Sequence, residues 1–366
     1  MASTIEPGPS ANVARLAAEY LGSTPEEVSI ERVAGDASTR TYFRARAAGA
    51  SVIIALYGSA FDETEGASAR LERLESSNPS ARLTFANDPC AHIEVTRLFL
   101  EAGLPVPPVV SVSGIDGVIL IEDVGDTRLQ DWLLQHSEAE AADAYHHALE
   151  LVVQIQDATE PAIRADSICS HLAFDEAKLR WELGFFFANY FNKYLRVKLD
   201  PTTANAVQQD FKAMCSELAA RPRVLSHRDY HARNLMMHSG KMFIIDHQDA
   251  RMGPAAYDVA SLLGDPYTAL DPQMANLMVE HFIELKSRSK HSIDDVSTFR
   301  VELEVMMAQR MLKAIGTYAS QAAAGNPVYV PYIEPALDRV LAAMRKLNRF
   351  DATRKLLEET RGSRGS

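Results

Sequence analysis

The sequence predicts an α+β protein in which a small antiparallel sheet is followed by a larger, mostly helical region. Residues 28–57 alternate apolar and polar positions between turn signals, which is typical of strands in a half-buried sheet. From Thr127 onward, most segments carry apolar residues at spacings of three and four, as amphipathic helices do. A length of 366 residues is long for one compact domain and comfortable for two lobes.

The first half of the chain is expected to contain the sheet and one packed helix. Residues 58–88 are rich in Ser, Glu and Ala and are interpreted as a mobile insertion. The amphipathic segment CAHIEVTRLFLEAG predicts a helix that stops at Gly103, because glycine readily adopts the left-handed conformation of a helix end. The run VILIEDVG adds a strand and an acidic turn. These elements form an expected first domain over residues 1–124.

The second half is expected to be helical except for one hairpin. The short strands MMHSG and KMFIID are predicted to interrupt the helical pattern and to turn at Ser239-Gly240. One helical domain is therefore expected over residues 125–350. The chain ends in the low-complexity run TRGSRGS, so residues 351–366 are expected to form a flexible tail.

Composition and charge disfavour nucleic acid and membranes as partners. The chain has 37 basic and 49 acidic residues, a net charge of −12 and a pI near 5.4, whereas binders of nucleic acid or anionic membranes are usually basic. The sequence lacks the pattern of a signal peptide and any long apolar run. Three scattered cysteines suit a reducing compartment. We therefore expect a cytoplasmic protein that is a monomer or a weak dimer.

The most informative stretch is HRDYHARN at residues 227–234, followed by an apolar run that ends at Asp246. Its side chains Asp229, Asn234 and Asp246 are spaced five and twelve residues apart across an expected loop and hairpin. Phosphoryl transfer needs a carboxylate that accepts a hydrogen bond from the attacking hydroxyl and hard oxygen ligands for Mg²⁺. Asp229 is predicted to be the base, and Asn234 and Asp246 are predicted to be the magnesium ligands.

This stretch resembles the signature of the aminoglycoside phosphotransferase and choline kinase type of kinases. That signature is His-x-Asp-x-x-x-x-Asn, then an apolar strand ending in Asp, then a Tyr-Asp segment that GPAAYDVASLL matches. The resemblance implies a protein-kinase-like two-lobe fold, ATP and Mg²⁺ as cofactors, and a small-molecule acceptor. It also implies that His227 and Asp258, the latter at a helix start, support the catalytic loop structurally.

The same resemblance suggests where the nucleotide binds. The loop GDASTRTYFR lies between two expected strands and would cover the phosphates, although its single glycine leaves a plain hairpin turn as an alternative. The hinge-like segment LIEDVGD would read the adenine edge with backbone groups. The expected nucleotide-binding residues are Gly35, Ser38, Thr39, Arg40, Glu122 and Val124.

One departure from the family pattern is a missing lysine. Kinases of this kind usually carry a lysine on the third strand that grips the nucleotide phosphates, but the matching strand SVIIALYG has none. Either another cation substitutes, with Arg40 and Arg44 as candidates, or the enzyme does without this lysine. Glu94, on the helix expected to pack on the sheet, is the candidate partner of the missing cation.

Over residues 25–350, apart from the insertion, the chain resembles one branch of these kinases. This branch comprises the bacterial anomeric kinases of N-acetylmuramate and N-acetylglucosamine in peptidoglycan recycling. The resemblance rests on GDASTRTYFR without a strand lysine, FDEAKLRWELGFFFANYF and AQRMLKAIGTYA. It implies ATP-dependent phosphorylation of a C1 hydroxyl. The candidate acceptor-binding residues are His231, Arg233, Glu182, Asp249 and Arg310.

Two other functions remain open on sequence grounds. A kinase of another small alcohol, such as an aminoglycoside, a hexosamine or a choline-like amine, would need acids in its acceptor pocket, and Asp249, Glu182 and Asp265 are available. A catalytically inactive kinase fold that serves as a binding module is permitted by the missing lysine. Arg310 and Lys313 lie one helical turn apart, where they would meet a carboxylate or phosphate or form salt bridges.

Overall fold

The structure is a computed structural model that describes residues 11–33, 41–268 and 270–362. The chain divides into two compact units. The first comprises Met1–Asp126 and Met236–Asp249, and the second comprises Thr127–Leu235 and Ala250–Ser366. The sequence placed residues 236–249 in the helical domain, whereas the structure groups them with the sheet.

The first unit is built on a five-stranded antiparallel sheet with strand order β1-β2-β3-β5-β4. Its strands are β1 Ser29–Arg32, β2 Thr41–Ala47, β3 Ala50–Leu56, β4 Val109–Ser113 and β5 Val118–Glu122. Its helices are α1 Ala11–Leu21, α2 Ala67–Ser77, α3 Ala81–Thr84 and α4 Pro89–Glu101. The predicted small antiparallel sheet is confirmed.

Alternation along β3 places side chains on both faces of this sheet. Val52 and Ile54 join a buried cluster that includes Val13 of α1, whereas Ala55 faces a second cluster against which Ile93 of α4 packs. Successive residues therefore bury opposite sides of the strand, and a helix covers apolar surface on each side.

Helix α4 has well-defined ends. The carboxylate of Asp88 accepts hydrogen bonds from the N–H groups of Cys90 and Ala91, and Pro89 occupies the first turn, where no N–H is needed. At the other end, Gly103 adopts a φ of 77° just after the helix. The predicted stop at Gly103 is confirmed.

The inserted segment is attached to α4 by a buried arginine. Arg70 of α2 is 3% exposed and donates hydrogen bonds to Asp88 at 3.2 Å and to Glu94 at 2.6 Å. Glu94 thus meets a cation, but this cation comes from the insertion and not from a strand. The insertion is helical over much of its length and is bonded to the helix that covers the sheet.

Arg44 does not occupy the place expected for a substitute of the strand lysine. Its guanidinium is buried and donates to the carboxylates of Asp123 at 2.6 Å and Asp126 at 2.8 Å. Arg44 therefore fixes the acidic turn that follows β5. These bonds do not support Arg44 as the phosphate-gripping cation, and Arg40, the other candidate, lies outside the described residues.

The predicted hairpin is confirmed, and from Met236 onward it belongs to the first unit. Strands β7 Leu235–His238 and β8 Lys241–Ile244 pair across Ser239 and Gly240, which have φ values of 50° and 74°. Ile244 donates its N–H to the Pro105 carbonyl at 2.8 Å, and His247 bonds the Thr96 hydroxyl of α4 at 2.7 Å. These bonds explain why the segment groups with the sheet.

The second unit is mostly helical, as predicted. Its helices are α5 Leu129–Leu133, α6 Glu138–Asp157, α7 Thr159–Arg164, α8 Ile168–His171, α9 Glu176–Phe187, α10 Pro201–Ala219, α11 Ala256–Leu263, α12 Pro272–Lys286, α13 Val296–Ala323, α14 Ile333–Leu347 and α15 Asp351–Gly362. A π-helix spans Ala188–Leu195 and a 3₁₀ helix spans Pro327–Tyr332. None of the helices in the described ranges combines the length and apolar character needed to cross a membrane.

Two features of this unit were not anticipated. Strands β6 Arg223–Ser226 and β9 Arg251–Pro254 pair on either side of the catalytic loop. The tail expected to be flexible forms α15 up to Gly362, and its Leu356 and Leu357 are buried. That expectation is wrong for residues 351–362 because their apolar side chains pack, and residues 363–366 lie outside the described part of the chain.

Helix α13 is the longest helix among the described elements and runs through the core of this unit. It contacts α9, α11 and α14, and its Ala308, Leu312 and Ile315 are buried. Gly316 lies so close to α9 that an added Cβ would be 2.7 Å from the Phe186 Cα. Glycine at this position allows α13 to approach α9 closely, which fixes the side chains on the preceding turn.

We expect Arg70→Met to lower the free energy of unfolding by about 2–3 kcal/mol, because Asp88 and Glu94 would lose their shared cation while partly buried. The matched control is Arg73→Met. This arginine is also on α2, but its side chain is 60% exposed and pairs with Glu65, so we expect a loss below about 1 kcal/mol. Urea unfolding measures both changes, and equal losses would contradict the anchoring role of Arg70.

Candidate active site

The start of the catalytic loop is fixed by one buried carboxylate. Asp258, in the first turn of α11, is 0% exposed and accepts the N–H groups of His227 at 2.6 Å and Arg228 at 3.0 Å. Arg228 has a φ of 87°, a conformation that is unfavourable for a residue with a side chain. Burial raises the pKa of Asp258, although His227 and these two N–H groups offset part of the effect.

The candidate base Asp229 is surrounded by positive charge. Its side chain is 23% exposed, and its carboxylate lies 2.8 Å from Lys313 Nζ, 3.3 Å from Arg310 and 3.6 Å from Arg228. Burial alone would raise the pKa of Asp229, but these cations outweigh burial and hold the pKa well below its usual range. Asp229 is therefore ionised over the physiological pH range.

Arg310 of α13 is a buried support of this base. Its guanidinium donates to Ser261 Oγ at 2.7 Å, to the Tyr257 hydroxyl at 3.0 Å and to Asp229 at 3.3 Å. Ser261 and Tyr257 both belong to α11, so Arg310 connects α11, α13 and the loop. The sequence suggested Arg310 as an acceptor-binding residue, whereas in the structure each of its three nitrogens bonds a protein group.

Asn234 follows Asp229 within the same loop. Its amide Nδ2 donates to the Asp229 carbonyl at 2.9 Å, which leaves Oδ1 as the atom that this side chain can offer to a metal. An amide oxygen is a hard ligand of the kind that Mg²⁺ prefers. The second predicted ligand, Asp246, lies in the first unit just after β8, where its Oδ1 accepts a hydrogen bond from Gln248 at 2.8 Å.

Arg233, another residue suggested by the sequence, lies against aromatic rings. Its guanidinium is 3.9 Å from the ring centre of Tyr267 and 5.0 Å from that of Tyr332. It also donates to Gln130 Oε1 at 2.8 Å and to the Tyr332 hydroxyl at 3.0 Å. These contacts fix the residue that precedes Asn234, so Arg233 orders the loop from inside the protein.

His231 and Asp265 are also part of the packing of the loop. His231 makes an edge contact with Tyr267, and burial lowers its pKa to about 3, so its imidazole is neutral. Asp265 accepts the N–H groups of Ala232 and Tyr267, each at 2.8 Å, and burial raises its pKa to about 6. Each carboxylate oxygen of Asp265 therefore accepts one backbone N–H group.

Glu182 of α9 belongs to a buried polar network. It lies 3.5 Å from Lys178 and accepts a hydrogen bond from Gln309 of α13 at 2.9 Å. Burial lowers the pKa of Lys178 to about 7, whereas the charge of Lys178 keeps the pKa of Glu182 low against the effect of burial. The other predicted acceptor residue, Asp249, lies in the first unit and is buried.

The predicted nucleotide-binding residues are only partly described. Gly35, Ser38, Thr39 and Arg40 lie outside the described residues. Glu122 is the last residue of β5, and its N–H donates to the Pro108 carbonyl at 3.0 Å. Val124 follows in the turn and is buried.

Sequence reasoning missed the contact between Lys313 and Asp229 and the pairing of Lys178 with Glu182. The second contact has a sequence signal, because lysine and glutamate four residues apart share a helix face. The first has a weaker signal. Gln309, Arg310 and Lys313 lie on one face of α13, but only the fold shows that this face reaches the catalytic loop.

Comparison with known protein families shows to which family the chain belongs. Residues 29–285 match the phosphotransferase enzyme family, which is well over half of the chain. The chain belongs to this family. The predicted resemblance and the prediction of a small-molecule phosphotransferase are thereby confirmed.

The phosphotransferase is also similar to curated proteins. It is 27% identical over 228 residues to an N-acetylmuramate/N-acetylglucosamine kinase of Pseudomonas aeruginosa, a match that covers 62% of this chain and 64% of that protein. It is 26% identical over 265 residues to a protein of the same name from Neisseria meningitidis, covering 70% and 74%. The first match thus spans less than two thirds of the length of the Pseudomonas protein.

Solved structures support the fold. The choline kinase of Streptococcus pneumoniae superposes with a TM-score of 0.56 at 13% identity, covering 90% of this chain and 98% of that one. A spectinomycin phosphotransferase in complex with ADP and spectinomycin gives 0.56 at 14% identity, covering 93% and 98%. The predicted kinase-like fold is confirmed.

We expect Asp258→Asn to lower the free energy of unfolding by about 2 kcal/mol, because an amide cannot accept both N–H groups of the loop. We also expect kcat to fall more than KM rises, since Asp229 follows this turn directly. Urea unfolding and steady-state kinetics measure the two effects.

The control for this variant is Asp295→Asn, at the exposed start of α13. Its carboxylate also accepts a backbone N–H, that of Ser297 at 2.8 Å, but far along the helix from the loop. We expect its kcat to be unchanged. A normal kcat in Asp258→Asn would show that the loop does not depend on this carboxylate.

Proposed function

We propose that this phosphotransferase transfers a phosphoryl group from ATP, with Mg²⁺, to the anomeric C1 hydroxyl of N-acetylmuramate or N-acetylglucosamine. The names of the curated relatives support the amino sugar as acceptor. The sequence signature around Asp229 supports the hydroxyl-directed chemistry. Such an enzyme would act in the cytoplasm on sugars released during peptidoglycan recycling, with a nucleotide and a sugar as its partners and neither nucleic acid nor membrane.

The observation that carries this proposal is the set of cations on the candidate base. Three cationic side chains lie within 3.6 Å of the one carboxylate of Asp229. A cationic acceptor would meet like charges at the atom that must bind its hydroxyl, at an energetic cost that rises as water is excluded. A neutral or anionic sugar meets no such repulsion.

Two of the three acids that could serve a cationic acceptor, Glu182 and Asp265, are bonded to other protein groups. Glu182 pairs with Lys178 and Gln309, and Asp265 accepts two backbone N–H groups. Recruiting either carboxylate to a ligand would leave buried partners unsatisfied, which is costly. This favours an N-acetylated amino sugar over an aminoglycoside or a choline-like amine.

The low proton affinity of Asp229 fits the proposed acceptor. A C1 hydroxyl is more acidic than an ordinary alcohol, and phosphoryl transfer through a loose transition state requires little proton removal at the start. During transfer, the bond from the C1 oxygen to phosphorus forms and the bond from phosphorus to the leaving diphosphate breaks. The hydroxyl proton passes to the carboxylate of Asp229.

Asn234 and Asp246 are proposed to hold the Mg²⁺ ion, which would neutralise charge on the phosphates. Both side chains provide hard oxygen donors, and the Nδ2 of Asn234 is already used on the Asp229 carbonyl. The loop from Gly35 to Arg40 and the segment from Glu122 to Val124 are proposed to bind the nucleotide. The protein is proposed to act as a monomer or a weak dimer.

An acceptor panel tests the substrate assignment. We expect consumption of ATP with N-acetylmuramate or N-acetylglucosamine, loss of turnover when EDTA removes Mg²⁺, and little turnover with glucosamine, choline or kanamycin. Phosphorus NMR of the product should show a phosphate on C1. Turnover of a cationic acceptor alone would contradict the assignment, and a phosphate on another carbon would contradict only the anomeric part.

We expect Asp229→Ala to lower kcat/KM by about 1,000-fold, because the acceptor hydroxyl loses the group that orients it and takes its proton. Steady-state kinetics with the preferred acceptor measure the loss, and circular dichroism checks the fold. The control is Asp351→Ala, which removes a carboxylate that pairs with Arg354 at the start of α15. Near-normal turnover in Asp229→Ala would refute the role of this residue.

A further inference from the structure

Lys313 of α13 is the cation closest to the candidate base. Its Nζ lies 2.8 Å from Asp229 Oδ1, and its side chain is 18% exposed, compared with 4% for Arg310. The guanidinium of Arg310 is used on Ser261, Tyr257 and Asp229, whereas the ammonium of Lys313 has three N–H donors and bonds Asp229 with one of them. Lys313 thus contacts the candidate base, and part of its side chain is exposed to solvent.

We propose that Lys313 is a catalytic residue that orients Asp229 before transfer and donates a hydrogen bond to the phosphoryl group during transfer. The inference rests on the proposed function only in that Asp229 binds the attacking hydroxyl. It does not depend on which alcohol carries that hydroxyl.

The geometry places the attacking oxygen within reach of Lys313. A hydroxyl that donates to Asp229 lies about 2.7 Å from a carboxylate oxygen, so through Oδ1 it is at most about 5.5 Å from the ammonium nitrogen. That oxygen attacks the phosphorus atom on the side opposite the leaving group. A phosphoryl oxygen can therefore come within hydrogen-bonding distance of Lys313 without any displacement of α13.

The charge balance also favours an anion at this place. Arg228, Arg310 and Lys313 all lie within 3.6 Å of the Asp229 carboxylate, so a phosphoryl group that arrives beside this carboxylate meets cationic side chains, with Glu182 and Asp258 as the further carboxylates that act on Arg310. The strand SVIIALYG carries no lysine for this purpose, and Arg44 and Arg70 are bonded to acids of the first unit. In the proposal, Lys313 is the lysine that contacts the phosphoryl group, and it does so beside the residue that binds the acceptor hydroxyl.

The position of Lys313 is rigid, as preorganised catalysis requires. Gln309 bonds Glu182 one turn before it, Arg310 bonds α11 beside it, and Gly316 packs against Phe186 one turn after it. In the proposed step, the lysine keeps its protons. The hydroxyl proton goes to Asp229, the new oxygen–phosphorus bond forms, and the electron pair of the broken bond leaves with the diphosphate.

Replacement of Lys313 tests the proposal. We expect Lys313→Met to lower kcat about 100-fold, the size of effect seen when one electrostatic donor to a transition state is lost, while the acceptor KM changes less than about threefold. Lys313→Arg should recover most of the loss because it restores the charge. If Lys313 had only a structural role, Lys313→Met would have a lower stability or a higher acceptor KM. Lys313→Arg would then not recover the lost kcat.

A binding measurement provides a readout that does not depend on turnover. ADP with aluminium fluoride imitates the planar phosphoryl group, so calorimetry in the presence of the preferred acceptor should show about 100-fold weaker binding to Lys313→Met than to the wild type. Binding of ADP alone should be unchanged. Equal binding of the aluminium fluoride complex by both proteins would overturn the proposal.

The matched control is Lys346→Met, which removes an exposed lysine of α14 that pairs with Glu304 of α13. We expect normal kcat and normal binding. If the wild type turns over an alcohol other than the proposed sugars, the same comparison with that alcohol still tests Lys313. Lys313→Gln serves as a second variant, and a kcat equal to wild type in Lys313→Gln and Lys313→Met would refute the inference.

Discussion

The catalytic loop depends on the buried carboxylate of Asp258. It accepts two successive N–H groups at the point where Arg228 adopts a positive φ, so the chain can turn sharply and present Asp229. A carboxylate can satisfy both donors at once, whereas a neutral side chain would leave one unsatisfied. The same helix carries Tyr257 and Ser261, which hold Arg310 behind the base. One short helix therefore sets both the path of the loop and the charge around it.

The positive charge around Asp229 bears on stability and, in the proposed function, on the choice of acceptor. Removing the carboxylate would leave three cations facing one another, so the same cluster that tunes the base also needs it. In the proposed function, such a site would discriminate against an ammonium group on the acceptor through repulsion as well as through attraction. The choline kinase of Streptococcus pneumoniae shares the fold with this phosphotransferase, and a shared fold does not by itself fix the acceptor.

Local patterns in the sequence predicted the sheet, most helices, the stop at Gly103 and the turn at Ser239-Gly240. These features depend on periodicity and on glycine conformation, which act over a few residues. The strands β6 and β9 were missed because each has four residues and pairs across a long separation. The contact of Lys313 with Asp229 was missed for the same reason, since 84 residues separate the two side chains. The tail was misjudged because its final low-complexity residues obscured the apolar face of α15.

Glu94 receives its cation from a segment that is inserted between a strand and a helix, and this changes what a missing strand lysine means. Arg70 and Glu94 lie in separate stretches of chain but share one ion pair, so loss of Arg70 alone would leave the Glu94 and Asp88 carboxylates without this cation. Among related chains, the arginine, the glutamate and the insertion are expected to be inherited or lost together. The glutamate on the helix that covers the sheet can therefore keep a cationic partner in a chain without the strand lysine, because the insertion supplies that partner.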